Sequence, residues 1–584
     1  MSTQASHPSP RAATHPWLRR LKRWLRFVHP DRASANQLNE TGVHFAERGD
    51  LRVALETFER ALDANPRHAE AWVNLGTCLY ILDRPDDACI AYARAEKNGE
   101  ASAELYDNWG NALAKTARLS AAIEKHERAL EIDPALAGVE SNLGVTLGEM
   151  GRPKEACART SAAWAKHPDD QLLASTALFR SHFSTELTAA EIAAGHRRWP
   201  GASIARSGRH VRDADPERVL RVGYVSSDFR VHSCACFLLP LIRAHHEESV
   251  EVYAYHAAHT RDEVTAAFQR VADHWRECAT LSDEDLAGLI EEDRIDILVD
   301  CGGHTAGNRL SAFLFAPAPV QVSWLGYPFS TGLSVMDARL SDIVADPKGE
   351  SDSLHSESVL RLPGGYHTYR PLVETPEPLA RDTASSGIRF AAFHNLAKFS
   401  SVSVALWASV VKSTPGSCLV LKARGLSDRD VREEIIQRFC ASGVDRQAID
   451  VLPWRSGYGS HYEDLNSVDI VLDAVPYNGT TTTCEALWMG VPVVTRSGDR
   501  SSARVGASLL TQIGREDWIS YSDEDFIRIA SRLASDTEHL QNLRNTLRLD
   551  LSRSTLGDPG LFARSIESGF RKLWQDWCRN AERP

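Results

Sequence analysis

The segment LDAVPYNGTTTTCEALWMGVPVVT, Leu472–Thr495, decides the fold. It follows an apolar run, VDI (468–470), so that the text reads strand, tight Asn-Gly turn, threonine-rich helix start, helix, strand. That order is one unit of a parallel sheet with a crossover helix. The turn before the helix places unpaired backbone amides, the hydroxyls of Thr480, Thr481, Thr482 and Thr483, and the positive end of the helix dipole at one point, which suits an anionic phosphate. Helix capping alone would also use a threonine there, but a glycine turn directly after a strand favours the anion site.

Outward from this segment the same alternation continues. IRFAAFHN (388–395), CLVLKARG (418–425), IDVLPW (449–454) and PVVTRSG (492–498) read as further strands of one lobe, and LFARSIESGFRKLWQDW (561–577) as a long amphipathic helix closing it. Upstream, VLRVGYVSS (219–227), VEVYAYHA (250–257), DILVDCGG (296–303) and VQVSWLGY (320–327) form a second set, with helices at 232–246 and 282–292. Near-continuous apolar strands alternating with helices predict two doubly wound lobes, and ligands of such sheets bind at the carboxyl ends of the strands. Small polar residues at 382–387 (DTASSG) suit a hinge between them.

Before the lobes the sequence repeats. Gly42, Gly76, Gly110 and Gly144 are spaced by 34 residues, as are Ala54, Ala88, Ala122 and Ala156; Pro66, Pro134 and Pro168 fall on the same grid, and so do Asn74, Asn108 and Asn142. The period and the segments FERALDANP and HERALEIDP resemble the tetratricopeptide (TPR) family. Each unit is then two antiparallel helices whose small residues permit close approach, stacked on its neighbours into a superhelix. A concave face that binds extended peptide is the functional reading, with the asparagines able to clamp a peptide backbone; a spacer is the structural one.

The expected organisation is a basic N-terminal segment (1–35), four repeats of 34 (36–172), a helical linker (173–215), a first α/β lobe (216–385) and a second α/β lobe with the terminal helix (386–584). In the first segment, residues 16–29 place Trp17, Leu18, Leu21, Trp24, Leu25 and Val28 on one helical face and arginines on the rest. One short helix holds a membrane only marginally, so a capping helix or a plain tail is preferred to a lipid-bound one. The Asp213–Asp215 pair in the linker reads as a solvated turn rather than a metal ligand.

Composition bounds the partners. A net charge of −12 disfavours nucleic acid, which needs a basic face. The 11 cysteines are scattered without zinc or redox spacing and predict reduced thiols and a cytoplasmic protein.

Four segments carry chemistry: GYVSSDFRVHS (223–233), DCGGHTAGNRL (300–310) running into APVQVSWLGYPFSTG (318–332), FHNLAKFS (393–400), and Leu472–Thr495 followed by GDRSSARVGASLL (498–510). In this order behind a TPR array, they closely resemble the protein O-GlcNAc transferase family, in its bacterial SPINDLY-like branch, over residues 36–575. The resemblance implies a GT-B fold of two Rossmann-like lobes. It also implies inverting transfer of GlcNAc from UDP-GlcNAc to Ser or Thr, with no obligatory metal and no cofactor. It gives Lys398 the task of neutralising the departing diphosphate, His232 that of base or of positioning group, and Glu485 the ribose hydroxyls. Asn395, Asn478 and Gly479 fall near the diphosphate with Thr480, Thr481 and Thr482, His461 near the uracil, and His304 at the sugar. Arg504 either reaches the diphosphate or braces the lobe. Trp324, Tyr327 and Pro328 are expected to border the donor, and Asp293 and Asp300 to serve as acid, base or orienting groups; His394 has no settled contact. Two rivals stand beside this reading: the same fold with GDP-fucose or UDP-glucose as donor, and a catalytically silent TPR adaptor.

Overall fold

The computed structural model describes residues 34–204, 214–379, 381, 387–455 and 457–581. The amphipathic stretch 16–29, Asp213 and most of the hinge 382–387 lie outside the described residues. The chain forms two compact units, 1–112 and 113–584, divided within the helix Ala103–Lys115.

In the first unit the described residues form helix pairs. Ala35–Glu47 packs on Leu51–Ala64, and Ala69–Ile81 on Pro85–Lys97. The glycine grid is explained by contact. A Cβ on Gly42 would stand 2.5 Å from the ring of Phe58, and one on Gly76 2.6 Å from the ring of Tyr92. Ala54 and Ala88, the other small residues on the grid, are fully buried. Asn74 donates its side-chain amide to Asn39 Oδ1 at 3.0 Å, a partner that the 34-residue grid does not contain.

The second unit begins with helices Leu119–Ile132, Ala137–Glu149, Pro153–Lys166, Gln171–Ser181 and Ala189–His196. The 34-residue rule holds here too, since a Cβ on Gly144 would meet Thr160 at 2.8 Å. These helices are seated on the lobes by specific bonds. Asp428 accepts from the amide (2.9 Å) and hydroxyl (3.1 Å) of Ser120. Arg152 makes a forked pair with Glu434 at 3.1 and 2.7 Å, and Arg438 donates to Gly151 O at 2.7 Å.

The first lobe is a seven-stranded parallel sheet in the order β3-β2-β1-β4-β5-β6-β7. Its strands are β1 Leu220–Ser226, β2 Val250–His256, β3 His274–Glu277, β4 Ile297–Asp300, β5 Val320–Ser323, β6 Ala338–Ser341 and β7 Ser358–Arg361. The second is a six-stranded parallel sheet in the order β10-β9-β8-β11-β12-β13. It comprises β8 Arg389–Ala392, β9 Cys418–Leu421, β10 Ile449–Val451, β11 Ile470–Leu472, β12 Val493–Arg496 and β13 Ile519–Ser520. In each sheet the central pairing reverses direction along the sequence, β1 against β4 and β8 against β11, which is where a crevice opens at the strand ends. Two doubly wound lobes of this kind are the GT-B architecture expected from the motifs.

Two differences from the expected organisation bear on the site. The terminal helix, expected on the second lobe, returns to the first: Phe562, Ile566, Phe570 and Trp574 repeat every four residues and are buried in the core of the first sheet. Each contributes roughly 2 kcal/mol by burial, and Trp574 Nε1 also donates to Asp215 O at 3.0 Å. In place of a plain linker over 173–215, the described residues form the helices Gln171–Ser181 and Ala189–His196, wedged against both lobes. Arg500 donates to Ser184 O and Leu187 O, both at 2.9 Å, and Tyr327 OH sits between His182 (2.9 Å) and His196 (2.7 Å). Among the described residues no helix is long and apolar enough to cross a membrane.

Candidate functional site

A cavity of about 530 Å³ opens at the strand ends between the lobes. Val231, Ser233, Glu263 and Val264 line it from the first lobe; Leu372 and Val373 from the crossing segment; Phe393, Asn395, Lys422, Trp454, His461, Thr482 and Glu485 from the second.

Its phosphate end is built by β11 with the loop and helix that succeed it. Asp473 closes the strand and is buried; its carboxylate accepts from the amides of Ala474 (2.8 Å) and Gly479 (2.6 Å) and from Thr495 Oγ1 (2.7 Å). This folds the loop back on itself. Gly479 is required there, because a Cβ would stand 2.8 Å from both Thr482 Oγ1 and Thr483 Oγ1. The helix Thr481–Trp488 then starts without a side-chain cap, and its first internal bond runs from Cys484 N to Thr480 O at 3.1 Å. The amides of the helix's first turn, ahead of Cys484, therefore have no intrahelical acceptor and project from the N-terminus beside the half-buried Thr480, Thr481 and Thr482.

Lys398 comes to the same place from the turn after β8, Leu396–Lys398, whose cap is Asn395 Oδ1 accepting from Ala397 N at 2.9 Å. Its ammonium donates to Asn478 O at 2.7 Å and lies 4.6 Å from the centre of the Tyr477 ring. Burial lowers its pKa to about 8, against the opposing pull of Asp473. A cation and a helix N-terminus, both from the second lobe, thus converge without a neutralising acid in direct contact.

The other end of the cavity carries a chain of charged groups. His461 Nδ1 is 3.1 Å from Lys422 Nζ, and its Nε2 is 3.1 Å from Glu485 Oε2. Lys422 is paired with Asp464 at 2.7 Å and faces the rings of Phe393 and Trp454 at 5.8 and 5.6 Å. Sequence reasoning missed Lys422, Asp464 and Asp473. The available signal was positional: Lys422 and Asp473 are each the charged residue that ends an apolar strand at the crevice.

On the first lobe, His232 precedes the helix Ala235–Ala244 and is half-exposed. Its Nδ1 lies 3.3 Å from Asp228 Oδ2 and 3.3 Å from the amide of Cys234. The carboxylate contact selects the Nδ1–H tautomer and the amide contact the other; the charged partner is the stronger, which leaves Nε2 as the basic nitrogen. Burial lowers the histidine's pKa, Asp228 raises it and Arg230 lowers it. The Cys236 thiol, one turn on, is pushed up by burial and by the charge of Glu485, so this helix faces Glu485 across the cleft.

Several expected site residues are committed elsewhere. His304 is buried, with Nδ1 on Ser175 Oγ at 3.0 Å and Nε2 on Thr331 O at 2.8 Å, so neither nitrogen is left for a sugar. The Asn478 side chain donates to Ala474 O at 2.9 Å and accepts from Gly506 N at 3.3 Å; only its carbonyl, through Lys398, serves the site. Arg504 donates to Gly498 O at 2.7 Å and stands 3.5 Å from Glu350, which makes it a brace. Trp324 is buried in the first core, and Tyr327 and Pro328 tie the wedged helices to Ser501 and the lobes. Asp293 is held by Arg276 at 2.6 and 2.9 Å, and Asp300 accepts from Gly302 (3.1 Å) and Gly303 (2.8 Å) to close a turn. His394 does line the cavity, but its Nε2 bonds Leu472 O at 2.8 Å and its ring stacks on Trp407.

The model of glycosyl transferase family 41 matches residues 207–368 and 381–566, and a tetratricopeptide repeat model matches residues 40–103. A curated tomato (Solanum lycopersicum) protein named "Probable UDP-N-acetylglucosamine--peptide N-acetylglucosaminyltransferase SPINDLY" is 34% identical over 420 residues, 70% of this chain and 45% of the relative. A UDP-N-acetylglucosamine--peptide N-acetylglucosaminyltransferase of Caenorhabditis elegans is 24% identical over 61% of this chain and 41% of its own length. The chain thus spans less than half the length of these relatives. A solved structure of a lysine-to-methionine mutant of the Thermobaculum terrenum O-GlcNAc transferase superposes with a TM-score of 0.83 at 30% identity, covering 88% of this chain and 98% of that one.

Proposed function

The chain belongs to glycosyl transferase family 41, and from that premise we propose that it transfers GlcNAc from UDP-GlcNAc to Ser or Thr hydroxyls of proteins in one inverting displacement. The observation that carries the proposal is the meeting of Lys398 with the uncapped start of Thr481–Trp488, the helix whose Thr482 and Glu485 line the cavity.

The diphosphate sits on the helix N-terminus, held by its amides and by Thr480, Thr481 and Thr482. The nucleoside extends toward Glu485 and His461, with the ribose hydroxyls on the Glu485 carboxylate and the base beside Phe393, Trp454 and Lys422. The acceptor hydroxyl approaches from the first lobe. It gives its proton to Nε2 of His232 as its oxygen attacks the anomeric carbon. The bond from that carbon to the phosphate oxygen breaks, and the leaving UDP takes the electron pair. Lys398 stabilises the charge that grows on the phosphate, an electrostatic contribution already in place before the reaction. A single attack opposite the leaving group inverts the anomeric centre. The helical repeats recruit the acceptor protein through their concave face.

The test is direct. The protein is incubated with an acceptor protein and UDP-GlcNAc, UDP-glucose or GDP-fucose, and the acceptor's intact mass is measured. Addition of one N-acetylhexosamine from UDP-GlcNAc is the expected product; addition from another donor alone, or none with any, would overturn the proposal. The nucleotide pocket is tested separately by the thermal shift that UDP produces.

A further inference from the structure

The turn that carries His232 holds a second chemistry. Asp228, His232 and Cys234 each direct one ligand atom to a common point: an oxygen, a ring nitrogen and a sulfur lying within 4.8 Å of one another. Among the described residues no other group of three such side chains does this. The spacing arises from local structure. Asp228 is fixed by its own amide donating to Ser226 Oγ at 3.0 Å, and the chain then turns so that His232 and Cys234 return to it just before the helix Ala235–Ala244. Nδ1 of His232 already stands 3.3 Å from Asp228 Oδ2. Ligand bonds of about 2.0 Å to N and O and 2.3 Å to S put tetrahedral ligand atoms ~3.3–3.6 Å apart, so small side-chain rotations close the set.

We propose that Asp228, His232 and Cys234 form a binding site for a soft divalent cation, Zn²⁺ above all, and that its occupation silences the transferase. The donor set decides the ion. Thiolate and imidazole favour Zn²⁺, whereas Mg²⁺ and Ca²⁺ take oxygen ligands. Three protein ligands leave a fourth position for water. On binding, the Cys234 S–H bond breaks as the S–Zn bond forms, and the proton passes to solvent. Because the thiol must lose its proton to ligate, affinity rises with pH. Arg230, 3.7 Å from the other oxygen of Asp228, opposes the cation, while the thiols of Cys236 and Cys301 also lie close enough to interact with Cys234.

Silencing is a consequence of the tautomer. A metal on Nδ1 displaces the proton that this nitrogen holds toward Asp228; the proton passes through solvent to Nε2, so the imidazole has no basic nitrogen to offer an acceptor hydroxyl. Metal binding rests on the geometry alone; its effect on transfer rests on the proposed role of His232 as the base.

The experiment measures Zn²⁺ binding by calorimetry on the full chain and on Cys234→Ser, with Co²⁺ as an optical probe of thiolate ligation. One tight equivalent and a thiolate-to-Co²⁺ charge-transfer band in the wild type are expected, with affinity reduced tenfold or more and the band lost in Cys234→Ser. Equal Zn²⁺ affinity in the two proteins would overturn the site. Transfer is then assayed with and without Zn²⁺. Wild type should be inhibited as that equivalent fills, and Cys234→Ser should keep basal transfer and resist inhibition. Full transfer by the Zn²⁺-loaded wild type would overturn the silencing while leaving the site standing. Failure of metal-free wild type to transfer sugar, with Zn²⁺ binding intact, would count against the proposed function alone.

Discussion

The ammonium of Lys398 donates to the main-chain carbonyl of Asn478 at 2.7 Å, the residue before the glycine turn that opens the threonine-rich helix. The lysine is thereby fixed at a helix N-terminus, where Asp473 acts on it only from a distance and a bound anion would make the direct contact. Lys398→Ala should lower kcat roughly 100- to 1000-fold, about 3–4 kcal/mol of electrostatic stabilisation, while UDP still raises the melting temperature. With a pKa of about 8 in the free protein, the protonated fraction falls as pH rises above 8, and kcat/KM should decline on that limb. Normal turnover in the variant, or a flat profile to pH 10, would remove the lysine from the mechanism.

Glu485 and His461 stand 3.1 Å apart at the nucleoside end. Glu485→Gln keeps the size and removes the charge. Loss of hydrogen bonds to a charged acceptor costs about 1.5–3 kcal/mol, so UDP should bind roughly 10- to 100-fold more weakly by calorimetry. The kcat at saturating donor should change far less. A large fall in kcat with unchanged UDP affinity would move Glu485 from nucleoside binding to chemistry.

Much of this was legible in the chain. The strand, Asn-Gly turn and threonine run at Leu472–Thr495 has one structural solution, and the 34-residue grid is explained by Gly42 and Gly76 lying against Phe58 and Tyr92. The features that were not legible depend on distant pairing. Nothing near Lys422 announces Asp464, 42 residues later, as its partner. His304 lies in a motif that points to ligand binding, yet Ser175 and Thr331, far apart in sequence, consume both its nitrogens. The short strands β3, β6 and β7 carry polar residues such as Arg276, Arg339 and Arg361 that mask the apolar signal. The terminal helix has an evident apolar stripe, but amphipathicity does not name the lobe it covers.

The seating of the later helices sets where the array can be cut. Deleting residues 34–112 removes one compact unit and leaves Ser120–Asp428 and Arg152–Glu434 intact. That truncation should retain the UDP-induced thermal shift and donor hydrolysis but glycosylate protein acceptors at least tenfold more slowly. Extending the deletion to residue 170 also strips Leu119 and Met150 from the core of the second lobe, so stability itself should fall. Undiminished protein glycosylation by the shorter truncation would make the first unit a spacer.

Acid sensitivity originates in the buried ring cluster beneath the first lobe. His304 has its pKa lowered to about 4, and burial holds His182 and His196 well below the usual histidine range. Between the unfolded value near 6.5 and the folded value, the unfolded chain binds more protons, so stability is lost as pH falls through this window. For His304 the loss at pH 5 is about 2 kcal/mol. Asp300 works the other way: burial raises its pKa to about 6, so protonation in the folded state returns about 1 kcal/mol at pH 5. Three histidines outweigh one aspartate, and the urea midpoint should drop between pH 7.5 and pH 5. Asp300→Asn removes the compensating term, so its drop should exceed the wild type's, whereas His304→Gln should drop less. A urea midpoint that is the same at both pH values, or identical drops in all three proteins, would show that these rings titrate in the folded state as they do in water.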